Sequence, residues 1–162
     1  MDFRDPKTAY IAYIAANLVG LFYLYAAIRL PRVCRLLFFI LFGWASWINY
    51  TTSHQHPGVY LMYAQKALSV YADFINGWFK QHITVFVSTI AIVQGLIAIA
   101  MLLKGIWVKL ACIGVIVFLF GIAPLGLYAA FPFSLIVSGA AYFIYKNNHK
   151  AYIWTPLKSK PK

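Results

Sequence analysis

Acidic residues are almost missing from this sequence. Its 162 residues include three, Asp2, Asp5 and Asp73, against fourteen lysines and arginines. That scarcity leaves no pair of carboxylates for general acid–base chemistry. Cysteine is scarce as well. Cys34 and Cys112 stand far apart, with no CxxC pair and no metal-ligand spacing. A thiol relay needs paired cysteines on an oxidising face, whereas both of these fall near the basic ends of apolar runs, where thiols stay reduced. Small packing residues are their expected role. Charge of either sign is rare, at 10% of residues, against about 25% in soluble domains. No nucleophile–base pair, phosphate loop or haem motif is present.

What fills the chain instead is apolar. Hydrophobic residues make up 63%, too much for a fold of this size to hide from water, so lipid is the expected solvent. A net charge of +11 in a soluble protein would point to nucleic acid. Here the basic residues sit in short clusters between apolar stretches, which is membrane topology. The expected partners are the bilayer with its anionic headgroups, and a larger membrane complex or further copies of the chain. Nucleic acid is not among them.

Five apolar runs divide the chain. The first, residues 9–28, is about 30 Å long as a helix, the thickness of the hydrocarbon core. Its basic residues, Arg29, Arg32 and Arg35, follow it, the reverse of a cleaved signal peptide. Ala12, Ala16 and Gly20 recur every four residues on it, a face that lets a neighbour approach closely. Pro31 separates it from a second run, 33–50, whose Trp44, Trp47 and Tyr50 sit toward the outer end as interfacial rings do. A polar stretch, Thr51 to Pro57, follows. Residues 59–80 are amphipathic. Tyr60, Tyr63, Ala64, Ala67, Val70, Tyr71, Phe74 and Trp78 lie at helical spacing, with Gln65, Lys66, Ser69, Asp73 and Asn76 opposite. This pattern is too polar to span, and predicts a helix at the outer interface.

The third run, 83–103, ends at Lys104-Gly105. The fourth, 106–127, meets Pro124, which should kink or end it. The fifth, 132–146, is short and carries a small face of Ser134, Ser138 and Ala141. Residues 147–162 form a basic tail with Tyr152 and Trp154 as anchors and disorder expected beyond Pro156. Five spans place ten basic residues and no acid on one side, and Arg4, Lys7, Lys66, Lys80 and all three aspartates on the other. The positive-inside rule then puts the N-terminus outside and the C-terminus, with His149, in the cytoplasm. The fold class expected is an all-α transmembrane bundle.

The stretch ITVFVSTIAIVQGLIAIAMLLKGIWVKLACIGVIVFLFGIAPLGLYAAFPF, residues 83 to 133, resembles the back half of DoxX-like small membrane proteins. Its marks are a third-span glutamine, a Lys-Gly turn, a span ending in APLG and an FP step. RLLFFILFGWASWINY, residues 35 to 50, is similar to that family's first helix, which opens on an arginine and passes through a glycine. The resemblance covers roughly residues 33 to 145. It implies a four-helix bundle, with residues 9–28 as an N-terminal addition. It also implies kinship with the small subunit of a thiosulfate:quinone oxidoreductase and with accessory subunits that serve redox partners of the bacterial inner (plasma) membrane. Quinone is the cofactor it suggests.

Few polar residues are placed to carry chemistry. Gln94 lies near the middle of the third span, where an amide must find a partner. That partner is either a quinone-like carbonyl or an interhelical group such as the backbone, Ser46 or Ser138. Asn17 faces the same choice. On the outer side His54, His56 and His82 gather with Asp73. The histidines at i, i+2 are weak candidates for a divalent metal, or all are simply solvated, with Asp73 paired to Lys66 or Lys80. Three readings follow. The first is an accessory subunit whose apolar cavity is lined by Gln94, Trp44 and Trp47, with His82 and Asp73 at its outer rim for proton exchange. The second is a structural or assembly subunit without a ligand. The third is a small-solute carrier or channel, disfavoured by the lack of ionisable groups other than cysteine and tyrosine within the spans. Catalysis by the chain alone is not expected.

Overall fold

The computed structural model describes residues 6–129, 131–147 and 150–155. Expectations for His149, for the terminal aspartates and for the tail from Pro156 onward lie outside the described residues. Every regular element within them is helical. Helix α1 spans Pro6–Arg29 and α2 spans Pro31–Gln55. Leu30 between them is non-helical (φ −132°, ψ 56°), and Pro31 opens α2 at the position where a missing N–H costs nothing. Then come a 3₁₀ helix, Pro57–Gln65, and the short α3, Ser69–Phe74. A π turn, Ile75–Phe79, joins α3 to α4, Lys80–Leu102. Helix α5 is Ile106–Ile122, a 3₁₀ stretch covers Ala123–Ala129, and α6 is Phe133–Asn147.

Three helices are long and apolar enough to cross a membrane: Pro31–Gln55, Ser69–Leu102, which is kinked at Gly77 and His82, and Ile106–Gly126. The apolar stretch Tyr13–Arg29 is shorter, and α6, at fifteen residues, reaches about 22 Å. Where 59–80 reads as one interfacial helix, the chain is broken at Lys66. Lys66 is non-helical (φ −126°, ψ 1°), and the part from Ser69 onward continues into α4. Alternating polar residues conceal this break, because both pieces keep an apolar side inward. Helix α2 likewise runs five residues past Tyr50. Its last turns hold Ser53, fully buried, whose carbonyl accepts from Thr84 Oγ1 at 3.0 Å.

The helices form a closed circuit. Helix α2 packs most extensively on α4, α4 on α5, α5 on α6, α6 on α1, and α1 returns to α2. Helix α1 is therefore a wall of the bundle between α2 and α6. Small residues make its seam with α6. A Cβ at Gly20 would lie 3.1 Å from Phe133, and one at Gly139 3.8 Å from Leu24. Asn17 bonds back to the Tyr13 carbonyl of its own helix at 2.9 Å. Phe38, Phe42, Met101, Val108, Val115 and Ile144 fill the middle. A second cluster of Ile75, Phe79, Ile83 and Val87 joins the segment 57–79 to the bundle end. We call that end the cap end, and the opposite one, which carries Arg29, Arg32, Lys104 and Lys109, the basic end.

Arg35 belongs to the basic end but not to its surface. Its exposure is 0%. Nε donates to the Met101 carbonyl at 2.9 Å, one terminal nitrogen to Ala151 at 2.8 Å, and the other to Leu103. The last carbonyls of an α-helix have no partner within it. Arg35 satisfies two at the end of α4 and binds the tail to them.

Candidate functional site

Beneath the cap lies a cavity of about 790 Å³, within the range of small-molecule sites. Ala45 and Asn49 of α2, Phe86, Ile90 and Gln94 of α4, and Val117, Phe118 and Gly121 of α5 form its walls. Tyr60, Tyr63, Tyr71 and Phe74 close it from the cap. Exposed Val70, Phe74 and Val117 stand at its rim, so it opens sideways on the apolar outer surface.

Three polar groups of this cavity form one chain. Tyr60 donates its hydroxyl proton to Asn49 Oδ1 at 3.1 Å, and Asn49 Nδ2 donates to Gln94 Oε1 at 2.9 Å. Gln94 is 2% exposed. Its amide lines the cavity wall at the buried end of the chain. The amide partner anticipated for Gln94 was Ser46, Ser138 or backbone. Ser46 instead donates to the Ala91 carbonyl at 2.7 Å and Ser138 to the Ser134 carbonyl at 2.8 Å. Asn49 takes the role. It lies near the C-terminal end of α2, and its distance from Gln94 in sequence hides the pairing.

Local backbone form positions these groups. The 3₁₀ helix carries Tyr60 and Tyr63 inward, three residues apart and therefore on one side, with rings stacked at 6.4 Å. Burial raises the hydroxyl pKa of Tyr63 above its ordinary value. At Tyr60 burial again comes first, then the neighbouring Tyr63, with Thr52 acting the other way. The cap is held from the far side by Leu68 N–H, which donates to the Pro124 carbonyl at 3.0 Å. Gly126 makes that approach possible. Its φ is 74°, and a Cβ there would sit 2.6 Å from the Lys66 carbonyl oxygen.

The remaining candidates lie elsewhere. Trp44 and Trp47 are 61% and 63% exposed, on the outside of α2 rather than in the cavity. They occur at i and i+3 with Asn49 on another face, and outward-facing aromatics are the normal interfacial pattern. His82 is exposed, stacked on Trp78 at 4.4 Å, with Nδ1 2.9 Å from the Trp78 carbonyl. Asp73 is exposed on α3. Neither lines the cavity. His54 Nδ1 lies 2.7 Å from the Tyr50 carbonyl, and His56 is exposed. Among the described residues no three potential metal ligands cluster. Comparison with protein-family models, with curated proteins and with solved structures finds no match to this chain.

Proposed function

We propose that the chain is an integral protein of a bacterial plasma membrane, with its N-terminus outside and its C-terminus cytoplasmic. In this reading it is an accessory subunit that holds a quinone, or a closely similar neutral carbonyl lipid, beside Gln94. The topology rests on the separation of charge between the cap and basic ends. The accessory role rests on the DoxX-like resemblance of residues 33–145.

One observation carries the ligand assignment. A part-buried hydrogen-bond chain, Tyr60 to Asn49 to Gln94, ends in an amide on the wall of an apolar cavity. An amide lining the cavity offers a donor to a carbonyl oxygen. The lining contains tyrosine hydroxyls and amides but no carboxylate, imidazole or ammonium, which suits a neutral ligand. It also fits binding and orientation rather than proton transfer by this chain, so oxidation or reduction would fall to a partner protein.

A solute carrier would need a polar path to the other end, yet Phe42, Ile97 and Met101 are buried between the cavity and the basic end. Titration with a short-chain quinone in mild detergent tests the reading. Saturable binding that weakens by about 3- to 10-fold in Gln94→Leu, the worth of one neutral hydrogen bond, is expected. Indifference to that substitution, or binding of no quinone, would remove the assignment.

A further inference from the structure

A second site lies at the basic end, where no acid among the described residues neutralises it. A groove of about 700 Å³ is lined by Lys104, Gly105, Ile106, Trp107, Lys109, Lys150 and Tyr152. Asp73, the only acid among the described residues, belongs to α3 at the other end of the bundle. Two of the lysines are held by aromatic faces instead. Lys104 Nζ sits 4.8 Å from the centre of the Tyr152 ring, and Lys109 Nζ 5.5 Å from that of Tyr145. A ring face orients an ammonium group without cancelling its charge. Three positive charges therefore face one groove with no counter-ion among the described residues.

The backbone adds to this. Gly105, at φ 63°, precedes α5, and no side chain caps that helix. The N–H groups of its first turn lack intrahelical partners and carry the positive end of the helix dipole. Beside the groove Ile106, Trp107 and Leu110 are 61%, 56% and 51% exposed. An occupant must accordingly be anionic at one end and apolar at the other. We propose that this groove binds the phosphate of an anionic phospholipid headgroup, with the acyl chains lying along the exposed face of α5. A free phosphate compound would satisfy the lysines but would leave Ile106, Trp107 and Leu110 unused.

The test uses the full chain in a neutral detergent. It is titrated with dioleoylphosphatidylglycerol, with dioleoylphosphatidylcholine, and with inorganic phosphate at constant ionic strength, and bound lipid is counted by native mass spectrometry. Each basic residue near an anionic headgroup is worth about fivefold in affinity. The glycerol lipid should bind at least about 10-fold more tightly than the choline lipid. That preference should fall below about twofold when Lys104→Gln, Lys109→Gln and Lys150→Gln are combined. A control removes equal charge from the tail, Lys158→Gln, Lys160→Gln and Lys162→Gln, and should keep the preference. The single variant Lys104→Gln, at an exposed position, should lower it on its own if the combined variant does not fold. Equal losses in the two triple variants would mean diffuse attraction to charge and would overturn the site. Competition by inorganic phosphate while the two lipids bind alike would overturn the lipid assignment.

Discussion

Arg35 Nε lies 2.9 Å from the Met101 carbonyl oxygen, so the start of α2 completes the last turn of α4. A guanidinium suits this position because its planar fork reaches three acceptors at once. A leucine in its place would leave buried carbonyls without donors. Each buried carbonyl left without its donor costs about 1–3 kcal/mol. Arg35→Leu should therefore lower the thermal transition in detergent sharply, and Arg35→Lys should recover less than half of the loss. A transition unchanged in Arg35→Leu would show that these bonds do not hold the basic end.

Gly126 should control attachment of the cap. At φ 74° any other residue is strained by roughly 1–3 kcal/mol, and a Cβ would also press on the Lys66 carbonyl. Gly126→Ala should loosen residues 57–68 and speed tryptic cleavage after Lys66 several-fold, since local opening governs such cleavage. Gly121→Ala, where nothing lies within 4 Å of the added Cβ, should leave the rate unchanged. Equal rates in both variants would contradict the contact.

The cap should also come loose in alkali. Burial raises the folded-state pKa of Tyr60 and Tyr63 above the ordinary 10.0. Below pH 10 both states keep the proton, and this contribution is constant. Above it the unfolded chain ionises first, so stability falls as pH rises toward the folded-state values. Thermal transitions followed from pH 8 to 11 should decline above pH 10, and less steeply in Tyr63→Phe. Parallel declines in the two proteins would exclude Tyr63 as a cause.

How far these features could be read beforehand depends on how local their signals are. Long apolar runs and the break at Pro31 are local, and the helices follow them. Gln94 was visible because a lone amide in an apolar run has no local explanation. Asn49 was not, since it lies in a run that turns polar within two residues. Arg35 reads as one more topological charge, because a sequence does not reveal which distant carbonyls lack donors. The segment 59–80 misleads for another reason: its apolar spacing survives the break near Lys66, so periodicity alone describes one helix where there are two short pieces. Trp44 and Trp47 suit a cavity lining by their chemistry, but the facing of α2 turns them outward.

The most direct measurement is the quinone content of protein purified from native membranes in mild detergent, set beside Gln94→Leu prepared in the same way. The expected result is close to one equivalent in the unaltered chain and a several-fold lower content in the variant, with both proteins showing a cooperative thermal transition. Equal content in the two proteins, or none in either, would contradict a ligand held at Gln94.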